Sequence, residues 1–222
     1  MINKYDENNR FDYENGFYLT SEPYRLGNIL SHYEIYKKII DLPGDIVELG
    51  VFKGGSIIQF ATFRELLENE KSRKIYGFDI FGLFPSTENC ESDKAFVSNW
   101  NEKFINEFVS EDEIIASLAY KKIENVHLIK GNILDTLPQF LLDNPHLRIS
   151  LLHIDTDVYE PSKAGLELLW DRIVKGGILL LDDYGTVEGE TNAVDEFFSD
   201  KPQYTIHKLS LSHQKPSFII KE

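Results

Sequence analysis

Cysteine is almost missing: Cys90 is the only one in 222 residues. A single thiol excludes an intramolecular disulfide framework and any cysteine-rich metal centre. It fits a reducing compartment. Basic residues are also scarce, 23 Lys and Arg against 37 Asp and Glu, which leaves a net charge of -14. Binding to nucleic-acid phosphates needs clustered cations that release counterions, so no nucleic-acid partner is expected. An anionic membrane surface is disfavoured on the same ground. No apolar run approaches the ~18 residues needed to span a bilayer. Met1 to Arg10 is polar and lacks the apolar centre of a signal peptide. No repeat, low-complexity tract or linker interrupts the chain. The expectation is one cytoplasmic domain over 1–222, long enough to bury a sizeable core.

What is present reads as alternating strands and helices. Residues 1–40 predict an N-terminal arm or lid followed by a helix over Pro23 to Ile40, which stops at Leu42-Pro43-Gly44. Five apolar strands follow: Asp45 to Gly50, Lys74 to Asp79, Val126 to Lys130, Ile149 to Asp155 and Ile178 to Leu181. Helices are expected from Gly54 to about Glu70, Asp135 to Leu142, Glu160 to Ile173 (stopped by Lys175-Gly176-Gly177) and Thr191 to Phe198. Such alternation implies a mostly parallel sheet covered on both faces. Tyr204 to Leu209 and Ser217 to Ile220 are too close for a crossover helix and predict a closing antiparallel hairpin. Residues 87–120 form a helical insertion, with Phe96, Trp100, Phe104 and Phe108 at helical spacing. That stripe reads first as core, and otherwise as a substrate-facing wall or a subunit contact.

Ligands of open α/β sheets sit beyond the carboxyl ends of the strands. There lies Glu48-Leu-Gly50-Val-Phe-Lys-Gly54-Gly55-Ser56, whose glycines allow a sharp turn and close approach of main chain to a ligand. Asp79, at the end of the second strand, can accept hydrogen bonds from ribose hydroxyls. Dinucleotide enzymes use the same logic with a different glycine spacing. An acid before the first glycine would repel a pyrophosphate, whereas S-adenosylmethionine carries an ammonium and a sulfonium. The plain alternative is a tight strand–helix turn with no ligand.

The strongest local signal is His153-Ile-Asp155-Thr-Asp157-Val-Tyr159, followed by Gly176-Gly177 and then Asp182-Asp183-Tyr184. Acids ending an apolar strand are costly unless they meet solvent, a partner or a metal. With the fourth and fifth strands as neighbours, Asp155, Asp182 and Asp183 surround one hard cation, for which oxygen ligands suit Mg²⁺. Asp157 is expected to point the same way as Asp155 along an extended chain and to act as general base. The alternative reading makes Asp182 and Asp183 solvated strand-end caps and Asp155 a partner for cofactor or backbone donors. His153 reads as a packed or supporting imidazole, and His32, His127, His146, His207 and His213 carry no recognisable constellation.

These residues resemble the macrocin O-methyltransferases, class I enzymes that methylate sugar hydroxyls. The resemblance rests on Pro43 to Ser56, Tyr76-Gly-Phe-Asp79, Gly131 to Pro138, Asp155 to Pro161, Gly176 to Gly185 and Ala193 to Phe197. It implies a Rossmann-like class I fold with a seven-stranded sheet and an S-adenosylmethionine site. That site would use Glu48, Gly50, Gly54, Gly55, Ser56, Asp79, Gly131, Asn132 and Asp155. It further implies Mg²⁺ on Asp155, Asp182 and Asp183, a base at Asp157, a homo-oligomer, and a lid around Tyr18, Thr20, Tyr24 and Arg25. The run Phe78 to Pro85 departs from the family pattern, with Gly82 one place early, and the insertion matches no particular member.

Three other readings stay open. The acceptor is a phenolic or catechol hydroxyl instead of a sugar. Or Asp155-Thr-Asp157-Val is the nucleophile motif of a haloacid-dehalogenase-like phosphatase, although about 150 residues precede it. Or the domain binds without catalysis.

Overall fold

The computed structural model describes residues 6–87, 91–105, 107–211 and 217–222, so Cys90 and His213 lie outside the described residues. Seven strands form one sheet: β1 (Asp45–Leu49), β2 (Ile75–Asp79), β3 (Val126–Lys130), β4 (Ile149–Ile154), β5 (Ile173–Leu181), β6 (His207–Lys208) and β7 (Ser217–Ile220). Their order is β3-β2-β1-β4-β5-β7-β6. The first five pair in parallel, and β7 runs antiparallel to both β5 and β6. The expected mostly parallel sheet with a closing hairpin is what forms. Order reverses between β1 and β4, which puts the switch point beside Glu48 and His153, partners in register.

Eight α-helices are described: α1 (Arg10–Thr20), α2 (Pro23–Lys37), α3 (Gly55–Leu67), α4 (Glu91–Phe104), α5 (Glu111–Tyr120), α6 (Ile133–Asp143), α7 (Tyr159–Leu169) and α8 (Glu188–Phe198). Local chemistry sets several starts. Pro23 opens α2, where its missing N–H costs nothing. Ser110 and Glu113 form a reciprocal capping box on α5. Asn132 caps α6 by accepting the N–H of Leu134 at 3.0 Å, so that helix starts two residues before the expected Asp135.

Both sheet faces are covered by apolar clusters. Leu137, Leu166 and Val194 from α6, α7 and α8 cover one face, and Ile35, Phe60 and Leu118 from α2, α3 and α5 cover the other. This two-sided burial explains why β4 is buried at every residue, Ser150 and His153 included. Gly176 and Gly177, expected to stop a helix, lie inside β5. The helix stops earlier, and β5 bends there: its register with β4 shifts between Ile149 and Leu151, and Gly176 takes a φ of +82°. Among the described residues no helix is long and apolar enough to cross a membrane.

Candidate active site

The carboxyl ends of β1, β2, β4 and β5 open on one cavity of about 1180 Å³, larger than a single small-molecule site usually needs. Gly50, Gly55, Ser56, Asp79, Gly131, Asn132, Asp155, Asp157, Asp182 and Asp183 all line it. Gly50 is there because nothing else fits: a Cβ at this position would lie 1.8 Å from the carbonyl oxygen of Asp155, and its φ is +89°. The glycine loop and the first acid therefore touch backbone to backbone. Gly54, buried with φ +80°, is the N-cap of α3 and packs on Ile114, so it shapes the loop from beneath.

Asp79 holds the loop itself. Its Oδ2 accepts the N–H groups of Val51 and Phe52, both at 2.8 Å, and its Oδ1 accepts that of Phe81 at 2.5 Å. Both lone pairs of Oδ2 are thereby engaged, and Oδ1 keeps one for a ligand hydroxyl. Three backbone donors thus already orient the carboxylate expected to accept ribose hydroxyls. Phe52 and Phe81, on either side of this carboxylate, carry positive φ values of 48° and 49°.

Asp155, Asp182 and Asp183 each offer an oxygen within 4.8 Å of the others. They converge because β4 and β5 are paired up to Ile154 and Leu181. Burial, then the charge of Asp182, pushes the Asp155 carboxyl well above the usual carboxylate range. Burial, then again Asp182, raises Asp183 to about 6. Asp157 is raised by burial and by Asp183, with which its carboxyl shares a hydrogen bond. The extended path expected for Asp157 is not found. Its φ is +61°, because the chain turns left-handed here to enter α7, and the side chain meets Asp183 through that turn.

Glu48 is fully buried beneath the loop, where its Oε1 accepts the hydroxyl of Ser56 at 2.7 Å. Its Oε2 lies 3.7 Å from Nδ1 of His153, whose Nε2 lies 3.9 Å from Asp182. Despite its burial, the His153 ring is raised well above its ordinary value by Asp182 and Glu48. The His153 ring thus lies between the loop acid and the strand-tip acid, beyond hydrogen-bond distance of either. His32, unremarkable in sequence, belongs to this group: its ring packs 5.4 Å from that of His153 and its Nδ1 is 2.8 Å from Oε1 of Gln59. Contacts that join α2, α3 and β4 leave no short-range trace in sequence. Glu190, fully buried seven residues after Asp183, also belongs to this group, and its sequence context, an acid among other acids, does not mark it.

The aromatic stripe of α4 forms a wall and is not core. Phe84, Trp100 and Phe104 line the cavity, with Phe52 facing Trp100 at 5.2 Å and Phe104 at 5.5 Å. Phe108 lies past the end of α4. From the expected lid, Tyr24 and Arg25 line the cavity, whereas Tyr18 is exposed on α1 and the hydroxyl of Thr20 donates to the carbonyl of Gly16.

A parallel sheet reversing at β1/β4, with a glycine loop and acids at the switch point, defines a class I methyltransferase fold. The O-methyltransferase NovP shares it at a TM-score of 0.75 and 22% identity, over 88% of this chain and 79% of that one. CalS11, a TDP-rhamnose 3'-O-methyltransferase of calicheamicin biosynthesis, does so at a TM-score of 0.68 and 25% identity, over 93% and 84%. The macrocin-O-methyltransferase (TylF) family model matches residues 25–207, and the chain belongs to that family. Demethyldecarbamoylnovobiocin O-methyltransferase of Streptomyces niveus is 28% identical over 163 residues, 71% of this chain and 59% of that enzyme. Mycinamicin III 3''-O-methyltransferase of Micromonospora griseorubida is 28% identical over 149 residues, 64% and 56% of the two chains. The chain spans a little under three-fifths of the length of these curated relatives.

Proposed function

We propose that this chain is an S-adenosylmethionine-dependent O-methyltransferase that acts on a sugar hydroxyl with Mg²⁺ bound, within one domain over 1–222. The observation that carries it is the meeting of a glycine-loop cavity with three carboxylates in ligand range of one another. The names of these curated relatives, all O-methyltransferases, point the same way, and a rhamnosyl tetracenomycin and TDP-rhamnose are the acceptors named for one of them and for CalS11. The residues fit both groups. Asp155, Asp182 and Asp183 offer only hard oxygen donors within 4.8 Å of one another, and burial and mutual repulsion raise the proton affinity of Asp155 and Asp183. Gly50, Gly55, Ser56, Asp79, Gly131 and Asn132 line the part of the cavity assigned to the cofactor, above buried Glu48 and with Gly54 shaping the loop.

When bound, the cofactor supplies an electrophilic methyl on sulfur, and the ion lowers the pKa of the acceptor hydroxyl. The chain's own residues do the rest. Asp157, which lines the cavity beside the three acids, takes the hydroxyl proton. The aromatic wall excludes water and orients the acceptor by its apolar ring face. Residues 87–120 and the cavity-lining Tyr24 and Arg25 then set acceptor choice. The wall also favours a second reading, in which a phenolic acceptor stacks on Trp100. A homo-oligomer is supported by α1, which buries none of its residues and exposes Phe11, Tyr18 and Leu19.

Calorimetry with S-adenosylmethionine, with and without Mg²⁺, tests the first step, and mass-spectrometric screening of sugar nucleotides, glycosides and catechols tests the acceptor. Cofactor binding and a 14-dalton gain on a sugar are expected, the gain being about one CH₂. No cofactor binding would sink the reading. Asp157→Asn is expected to lower turnover by about 10²–10⁴-fold with cofactor affinity kept; unchanged turnover removes Asp157 as base.

A further inference from the structure

We propose that Glu190 is a positioning residue of this site, a staple that holds Asp157 and Asp183 at their working separation. The proposal rests on the reading of those acids given above. Glu190 is the third residue of α8 and has no exposed surface. Its Oε1 accepts the N–H of Asp183 at 3.1 Å, and its own N–H donates to the carbonyl of Asp157 at 3.1 Å. One residue therefore joins the tips of β4 and β5, the two ends that carry the acids.

The neighbouring residues show that this junction is built tightly. A Cβ on Gly189 would lie 2.4 Å from Oδ1 of Asp93 and 2.7 Å from the backbone N of Tyr159, so the start of α8 rests against the β4–α7 loop. Asp93, itself buried, accepts the N–H of Tyr159 at 2.8 Å and grips the other flank of that loop. Between the two grips Asp157 keeps its left-handed conformation, which a residue with a Cβ retains only where its surroundings over-determine it. A buried carboxyl beside Asp157, Asp182 and Asp183 is an expensive acceptor, and among the described residues its Oε2 finds no protein partner. Packing alone would favour an apolar residue here. Local rules broken in this way concentrate at functional sites.

The test compares Glu190→Ala, Glu190→Met and Glu190→Gln with the unmodified protein. Three readouts are used: Mn²⁺ binding by electron paramagnetic resonance, cofactor binding by calorimetry, and amide exchange over residues 182–187. Ala and Met are expected to speed exchange there and to weaken Mn²⁺ by about 10–100-fold, the scale of lost outer-shell support. Cofactor affinity should stay within about twofold, and Gln, which keeps the acceptor oxygen, should behave as the unmodified protein. The staple is refuted if Ala and Met leave exchange unchanged, if Gln fails as they do, or if both apolar variants lose cofactor binding and cooperative unfolding together. An unmodified protein that binds no Mn²⁺ would overturn the metal reading instead, and the exchange data would still decide the staple.

Discussion

Arg73 and Asp182 sit at opposite ends of the same parallel sheet, and the two ends treat buried charge in opposite ways. At the amino ends of the strands, the Arg73 guanidinium is almost fully buried and every donor is used. It pairs with Glu68 at 2.8 Å, meets Ser150 at 2.6 Å, and reaches the carbonyls of Ile39, Ile40, Leu42 and Gly44. Arg64 beside it is equally buried and donates to the carbonyls of Arg73, Glu124 and Asn125. At the carboxyl ends, five acids crowd together around the His153 imidazole. Among the described residues, Glu190 Oε2 and both His153 nitrogens lack a hydrogen-bond partner. A saturated buried charge stabilises the fold, whereas an unsaturated one is a standing cost that a bound cation can remove. The difference separates structure from chemistry without reference to any relative.

The largest effect should come from the saturated end. Arg73→Met strands Glu68 and several carbonyls, and is expected to cost roughly 3–5 kcal/mol in urea unfolding, with any cofactor site intact in the molecules that remain folded. A loss under about 1 kcal/mol would erase the contrast, since that is the scale of an ordinary surface pair.

The acidic end should reveal itself through pH. Asp183, Asp155 and Asp157 bind protons more tightly folded than unfolded, so the folded state carries more protons as pH rises above about 4. Stability of the metal-free protein must then fall as pH rises through about 6, the folded value for Asp183. His153, also raised, adds a loss in the same direction at higher pH. Thermal melts from pH 5 to 8 should show the decline, and Mg²⁺ should reverse more of it at pH 8 than at pH 5. A metal-free melting point that climbs across this range contradicts the repulsion.

Removing one like charge is a smaller change. Asp182→Asn should raise the metal-free unfolding free energy by roughly 1–2 kcal/mol, as relief of a functional cost commonly does, while Mn²⁺ binding is lost. Destabilisation would mean that the pairing of Asp182 with His153 outweighs its repulsion of Asp155 and Asp183. The smallest effect lies away from both ends. Lys122 follows the end of α5 with φ +56°, and the N–H of Ile123 reaches back to the carbonyl of Leu118. Lys122→Gly should therefore stabilise by about 0.5–1 kcal/mol. Asp157 shares that backbone conformation but is held by its site, so only the exposed position is free to accept glycine without loss of function.

Much of this was legible before any coordinates. Asp155, Asp182 and Asp183 end apolar runs, and a charge after a buried strand can only face the sheet's edge, so their convergence followed from strand pairing. Asp157 followed only in part: counting along an extended chain placed it near the others, but the left-handed turn into α7 is set by contacts from Glu190 and Asp93. The stripe of Phe96, Trp100 and Phe104 showed a helix and said nothing of which side the cavity lay on. Asp79 showed an acid at the right strand end, without the three backbone groups that already occupy it.

By itself the sequence determined the strand–helix alternation, the two-sided burial of the sheet and the identity of the strand-tip acids, because periodicity and strand ends are local properties of the chain. Tertiary structure alone decided that His32 and His153 meet, that Glu190 bridges two strand tips, and that the aromatic helix faces the cavity. Each of those depends on the distance between segments far apart in sequence, and only packing sets that distance.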